Sequence, residues 1–447
     1  MKSLQPSVSV SYLTNVLDLT HFLCLITTIS YGFFACIWRR FKSNIDAMVH
    51  IYRYLSAVLI LLITGGCYPL IKKEVREPAR ALKRVRYFWP RFQDDMDKDS
   101  LALAVERSLQ YLNRLEDRTV LTYGPDKFPV EHVRSSLTTF LLMIKQNPDI
   151  NELNRELRKK FLLYKAAGRG GNKKVLFTGY FEPILDGALE PDSVHRYPIY
   201  RMPGDLLKVD LGLFRPQFCG EQIIARADGQ RLVPYYTRKD IVEEKVLEGK
   251  MLEIAWLKDA LDIAILQIQG SGIIRLPDGK TIRVGYSASN GHPYKSIGRH
   301  MIDKGYIKDD EVSLQGIRAY LEDHPDLKEE VLSYNPSYVF FRLLDDGPLG
   351  NIGVPLTPGR SLALDNRLFP KGALVYACCQ KPAVEKDGDI VGWAPFCRFL
   401  LNQDTGGVIK GAGRADIFWG SDPYAELAAG RLKHEGELYF LVARPDS

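Results

Sequence analysis

The densest group of residues able to do chemistry lies near the C-terminus. It reads Gln403-Asp404-Thr405-Gly406-Gly407-Val408-Ile409-Lys410-Gly411, and then Arg414-Ala415-Asp416-Ile417-Phe418-Trp419-Gly420. Two carboxylates, Asp404 and Asp416, are separated here by a glycine-rich turn that can fold two strands back and aim both at one groove. Asp416 directly precedes Ile417, Phe418 and Trp419. Apolar neighbours desolvate a carboxylate, which raises its pKa and makes it a usable proton donor near neutral pH. The competing reading is that an Asp before a Gly-rich turn caps backbone amides. For Asp404 that capping role is the stronger reading, whereas for Asp416 the two readings stand level.

Other engines of catalysis are missing from the sequence. It contains no HExxH, no GxSxG elbow, no Walker A loop and no GxGxxG dinucleotide loop. Asp404-Thr405-Gly406 is similar to the active-site triplet of aspartic proteases, but no second triplet is present to share the proton, so a homodimer would be required. The eight His are isolated, and the seven Cys form neither a CxxC pair nor a Cys/His cluster at zinc spacing. A structural metal is therefore not expected. Cys219, Cys378, Cys379 and Cys397 are scattered, and any of them could pair in an oxidising compartment. Gln269-Gly270-Ser271-Gly272 reads as a turn that lets a ligand approach the backbone.

The elements that must position these residues are mainly β. From Tyr197 to Tyr286 short β-branched or apolar runs are broken by turn signals such as Asp228-Gly229 and Asp278-Gly279. Helices are expected around Ser296 to Lys304 and Ser313 to Asp323. Short strands resume from Val354 and end in Leu438 to Ala443. Before them come three helical patterns: one capped by Asp99 and Ser100 with Leu101, Val105, Leu109 and Leu112 on one face, one over Val133 to Lys145, and one over Asn151 to Ala167 that stops at Gly168. Val175 to Tyr180 reads as a strand. Residues 72 to 100, charge-dense and bearing Pro78 and Pro90, read as a tether.

The chain has 447 residues, with 46% hydrophobic and 26% charged, which fits two or three globular domains and excludes a disordered or polytopic membrane chain. A net charge of +6 over this length is too weak to argue for nucleic acid. It is compatible with an anionic polymer or a membrane surface. Aromatic residues at 11% point to stacking surfaces for sugars or other ligands, although core or rim placement is the stronger reading for any single one.

The N-terminus reads as an address. Leu19 to Trp38 is long enough to span a bilayer and is followed by Arg39, Arg40 and Lys42. Read from Met48, Arg53 precedes an apolar run, Leu55 to Ile63, and then Thr64-Gly65-Gly66-Cys67. Small residues before a Cys are what a lipoprotein signal peptide needs, with Cys67 taking the lipid. The plain alternative is a hairpin of two transmembrane helices in which Cys67 is passive. On either reading the rest of the chain is expected outside the cytoplasmic membrane.

Taken together, the segments resemble the membrane-bound lytic murein transglycosylase A family. They are Phe177-Thr178-Gly179-Tyr180-Phe181-Glu182-Pro183, Tyr197-Pro198-Ile199-Tyr200, Thr237-Arg238, Gln269-Gly270-Ser271-Gly272, Ser287 to Gly298, Asn335 to Phe341, and the Asp404–Asp416 block. They occur in the family's order over about residues 95 to 447. The resemblance implies a β-rich α+β fold: a double-psi β-barrel domain with N-terminal helices from residues 68–183 and 343–447, and a second β-barrel domain, 184–342, inserted between its halves after a signal region over 1–67. It implies cleavage of the β-1,4 bond between N-acetylmuramic acid and N-acetylglucosamine in peptidoglycan, leaving 1,6-anhydromuramic ends, with no metal and no cofactor. Asp416 would act as acid and then base, Asp404 would position or tune, and Thr178, Tyr180, Gln269, Ser271, Gly272 and Asn290 would line the glycan groove. An outer-membrane lipoprotein facing the periplasm is implied too, with peptidoglycan strands and cell-wall synthesis proteins as partners. Thr64 and the Ala412 to Ala415 loop depart from the family pattern without removing a catalytic match. Two rivals stand beside this reading. One is a non-catalytic peptidoglycan-binding lipoprotein; the other is an inverting glycoside hydrolase on the same barrel, with Asp404 as the general base.

Overall fold

The computed structural model describes residues 75–445 apart from 310–311, 386–387 and 389. Cys67 and the two apolar segments therefore lie outside the described residues. The N-terminal part supplies β1 (Leu82–Val85), a hairpin of β2 (Val120–Tyr123) and β3 (Asp126–Pro129), β4 (Phe161–Ala166) and β5 (Val175–Tyr180). Three helices lie among these strands, Lys98–Leu112, Val130–Lys145 and Ile150–Lys160.

The insert carries β6 (Ile184–Ala188), β7 (Tyr197–Tyr200), β8 (Leu207–Asp210), β9 (Gln222–Asp228), β10 (Arg231–Pro234), β11 (Glu253–Leu257), β12 (Ser271–Arg275), β13 (Thr281–Ser289) and β14 (Val339–Leu344). The C-terminal part adds β15 (Ser361–Ala363), β16 (Leu374–Val384), β17 (Ile390–Asp404), β18 (Arg414–Phe418) and β19 (His434–Ala443).

The fold is mostly β, as expected, and its centre is a closed ring. β5 pairs in parallel with β18 and antiparallel with β19, and the chain of pairings β19–β16–β17–β15–β18 completes six strands. Closure removes open edges, and parallel pairs (β5 with β18, β15 with β17) interleave with antiparallel ones. Phe177, Leu374, Leu401, Ile417 and Phe440 are among the residues that fill its core. The insert forms a six-stranded sheet, β14–β13–β12–β6–β11–β7, with a bridge between Arg201 and Phe341 linking the ends of its edge strands.

Several sequence expectations change for identifiable reasons. Asn151 to Ala167 is not one helix. The helix stops at Lys160, and Phe161 to Ala166 becomes β4, wedged between β1 and β19 with Phe161, Leu162, Leu163 and Tyr164 all buried. A strand buried on both faces loses its alternation, so its sequence pattern cannot distinguish it from a helix. Residues 72 to 100 are not merely a tether, because β1 joins the main sheet. The first long helix starts one turn-position early: Asp97 is its cap, accepting from the Ser100 amide. The helix Ala260–Gln269 inside the β-rich stretch was hidden for a related reason. It is apolar on both sides because Ile263 and Leu266 face the insert's sheet core, while Leu261 and Ile265 pack on the helices Ile297–Asp303 and Leu314–Asp323. Of the four scattered cysteines, Cys378 and Cys397 face one another on β16 and β17 and form a disulfide.

Two buried arginines tie the N-terminal segment to the ring. Arg360, with none of its surface exposed, grips Asp94 through both terminal nitrogens at 2.7 and 2.8 Å and also reaches the Phe399 and Asp97 carbonyls. Arg398 does the same to Asp95, with Nε and Nη2 both at 2.8 Å. Removing one partner of a buried pair leaves the other charge uncompensated, which costs about 3 kcal/mol or more. Arg360→Ala is therefore expected to lower the urea-unfolding free energy by about 3 kcal/mol, with Arg360→Lys in between because it keeps the charge and loses the fork. Denaturant titrations of the two variants check this.

Candidate active site

The ring brings the two carboxylates into one row. Ala363 of β15 pairs with Asp404 on one side and with Asp416 on the other, and Asp416 pairs with Thr178 of β5. The row thus runs Thr178, Asp416, Ala363, Asp404 across four neighbouring strands. Two strand spacings separate the carboxylate-bearing backbones, about 10 Å. Ala363, which stands between them, brings only a methyl group to the row.

Asp416 is 9% exposed. Its Oδ1 accepts the Thr178 hydroxyl and lies 3.3 Å from the Arg414 Nε; the Arg414 Nη2 also donates to the Thr178 Oγ1 at 3.2 Å. Burial raises the Asp416 pKa above the ordinary carboxylate range, while the Arg414 charge and the Thr178 hydrogen bond pull it part of the way back. Asp404 accepts three hydrogen bonds: the Tyr180 hydroxyl at 2.7 Å, the Asn351 amide at 2.9 Å and the Thr405 amide at 2.8 Å. It caps amides as the sequence suggested, yet it also sits in the row. Burial raises its pKa to about 6 against those three bonds, and the Asp416 charge adds to the rise.

Arg414 carries no assigned role in the sequence reading, although a signal for it exists. Residues i and i+2 of a strand share a face, so an Arg two positions before an acid on β18 points at the same site. The Asn351 amide has no such signal, because its contribution comes from backbone on a distant loop.

The remaining expected residues divide. Thr178 and Tyr180 stand in the row or against it. Gln269 ends the helix Ala260–Gln269, and its Oε1 accepts the Phe181 amide at 3.0 Å, joining the insert to the strand that carries Thr178 and Tyr180. Gly270 turns the chain at φ 82°, so Gln269-Gly270-Ser271-Gly272 is a helix end followed by a strand start rather than a free turn. Ser271 is 8% exposed. Gly272 is a close-approach position, but the approach is by protein: a Cβ there would lie 2.5 Å from Leu266 and 3.2 Å from the Pro183 carbonyl. Asn290 is 1% exposed and is not beside the row. Its amide nitrogen donates to the Tyr236 and Pro336 carbonyls and its oxygen accepts the Tyr338 amide, a staple between loops of the insert.

A model of the MltA specific insert domain matches residues 176–342, and a model of the 3D domain matches residues 360–442. The chain is 32% identical over 277 residues to the membrane-bound lytic murein transglycosylase A of Vibrio cholerae, a match spanning 61% of this chain and 67% of that protein. Among solved structures, a membrane-bound lytic murein transglycosylase from Agrobacterium tumefaciens superposes with a TM-score of 0.66 at 29% identity, covering 81% of this chain and 98% of that one. MltA from Neisseria gonorrhoeae superposes with a TM-score of 0.61 at 32% identity, covering 77% and 89%.

The raised pKa of Asp404 has a consequence for stability. Below about pH 4 its carboxyl is protonated in both folded and unfolded chains, so it contributes no pH dependence. As pH rises from about 4 towards 6, the unfolded chain ionises first and the folded state loses the advantage of its protonated group, in the sense required by linkage. Asp404→Asn cannot ionise. Its stability relative to the parent protein is expected to climb through this window by no more than about 3 kcal/mol and to level off above it. Paired thermal melts at stepped pH test this, and a difference independent of pH would contradict the assignment.

Proposed function

The chain belongs to the membrane-bound lytic murein transglycosylase A family, and on that premise we propose that it cleaves the β-1,4 bond between N-acetylmuramic acid and N-acetylglucosamine in peptidoglycan, with Asp416 as the single acid and base. The observation that carries the proposal is the burial of Asp416 between Thr178 and Arg414. Burial favours the protonated carboxyl, the form that donates to the departing glycosidic oxygen. As the bond from C1 to that oxygen breaks, the muramic C6 hydroxyl attacks C1 of its own sugar. The new Asp416 carboxylate then takes the proton from that hydroxyl. The new C1–O6 bond leaves a 1,6-anhydromuramic end, no water is consumed, and the proton count balances. A nucleophile tethered within the substrate needs no second carboxylate to activate it.

Arg414 and Thr178 fit this two-way use. A carboxyl raised by burial alone would hold its proton too firmly to donate it readily, and their contacts stabilise the carboxylate that donation leaves. Asp404 is assigned to positioning and field. Its three donors hold it in place and fix the Tyr180 ring, and a carboxylate already so engaged is a poor water-activating base. Thr178 and Tyr180 would contact the glycan, Ser271 would flank it, and Gln269 and Gly272 would act by fixing the insert against β5.

The assigned organisation is a barrel domain from residues 68–183 and 343–447 with an insert over 184–342, supported by the sheets' composition. The assigned location is the periplasmic face of the outer membrane, through a lipid on Cys67, with peptidoglycan strands as substrate and wall-synthesis proteins as partners. The relatives' description as membrane-bound and the Cys378–Cys397 disulfide, a bond of oxidising compartments, support it. Among the described residues no helix is long and apolar enough to cross a membrane.

Mass spectrometry of soluble products from purified peptidoglycan tests the reaction. Anhydromuropeptides are expected; reducing ends would make the protein a hydrolase, and intact glycan with bound protein would make it an anchor. Asp416→Asn is expected to lower turnover by at least about 1000-fold while sparing glycan binding. Thr178→Val removes a hydrogen bond that lowers the Asp416 pKa, so the alkaline limb of kcat/KM should move to higher pH. An unmoved limb would place the acid elsewhere.

A further inference from the structure

The positive charge of this chain is concentrated before the barrel. Lys72 to Arg91 holds eight basic and two acidic residues, a net charge equal to the +6 of all 447 residues. Within it, Arg86-Tyr87-Phe88-Trp89-Pro90-Arg91 forms the loop that leaves β1. Tyr87 is 77% exposed and Phe88 fully so. A large side chain seldom stands wholly in water beside a second exposed aromatic without a surface to meet.

The loop is held in this form from both ends. On one side β1 is paired along its length with β4. On the other, Phe92 is fully buried against Tyr376 and Phe399, Trp89 packs edge-on to it, and Asn154 bonds both its amide and its carbonyl. Phe88 itself sits at φ 57°, a left-handed conformation that residues with a Cβ seldom adopt. The fixed ends therefore present the ring outward in a conformation that its own preferences do not favour.

The surrounding charges have one sign. Lys83, Arg84, Arg86 and Arg91 flank the rings, and the acids nearby are occupied: Asp126 lies 3.9 Å from Arg84, while Asp94 and Asp95 are turned inward onto Arg360 and Arg398. Beside the loop a shallow cavity of ≈ 230 Å³ is lined by Arg84, Arg86, Trp89 and Arg444 among others. Guanidinium groups around an indole suit a phosphate ester at a polar–apolar boundary, and exposed aromatics amid basic residues are what an anionic membrane interface attracts. In sequence, Tyr87 follows the apolar stretch Tyr54 to Ile71 by only sixteen residues.

We propose that Lys83 to Arg91 is a second membrane contact, in which Tyr87 and Phe88 enter the interface of an anionic phospholipid leaflet and the flanking basic side chains meet its phosphates. This rests on the membrane-attached reading above. It adds to a lipid anchor a contact that sets which side of the barrel faces the bilayer.

The test uses residues 72–447, which form one compact unit, so that binding owes nothing to the anchor. Co-sedimentation with phosphatidylcholine vesicles, with and without phosphatidylglycerol, should show binding at least about 10-fold stronger to the anionic set. Tyr87→Ser with Phe88→Ser should lose most of that binding, and Arg84→Gln with Arg86→Gln should lose the preference for anionic lipid. Digestion of soluble glycan strands should be unchanged in both variants, which also reports that they fold. Absence of binding, equal binding to both vesicle types, or retained binding in the aromatic variant would each overturn the proposal. Loss of glycan digestion in the parent protein would instead strike at the catalytic reading and leave the lipid result standing.

Discussion

Everything at the candidate site depends on β5 being paired on both edges. Val175–Tyr180 comes from the N-terminal half of the chain, yet it closes a ring whose other five strands come from the C-terminal quarter. That closure buries Phe177 and sets Thr178 opposite Asp416. It also shuts water away from the Asp416 carboxyl. A slip of one residue in the β5–β18 register would turn Thr178 and Tyr180 to the other face and empty the row. The register is in turn secured by apolar residues on the inner face, where a slip would expose Phe177.

Burial at Asp416 acts in two opposed directions. Desolvation favours the proton, and Arg414 and Thr178 favour its departure. In the proposed reaction this group gives up a proton and takes one back, and the two influences bear on opposite halves of that exchange. The Asp404 pKa is raised as well, with backbone amides and a Tyr hydroxyl set against its burial. The same strand also connects the site to the insert. Just beyond Tyr180, the Phe181 amide is held by Gln269, and Glu182, 2% exposed, pairs with Arg283 of β13 at 2.9 Å. A shift of the insert would therefore be felt at β5.

Local chemistry was legible where it was short-ranged. The helices beginning near Ser296 and Ser313, the strand Val175 to Tyr180 and the apolar run after Asp416 could each be read because a few neighbouring residues determine them. Reading failed where an element is buried on both sides, as in β4 and the helix Ala260–Gln269, since periodicity disappears when no face meets water. Asn290 illustrates another limit. Its motif signals a constrained position, but the backbone bonds inside the insert that hold its side chain could not be read from the motif.

The amino-acid sequence by itself determined the family, the mainly β character, and the two carboxylates with an apolar run behind one of them. Those are properties of composition and order. Only the tertiary structure decided that Asp404 and Asp416 flank one alanine, that Arg414 and Thr178 share the buried carboxyl, and that Phe88 stands outside rather than in the core. Each of these is a meeting of segments far apart in the chain, arranged by which strands pair and how much water the pairing excludes, and a sequence carries no distance between residues it does not place side by side.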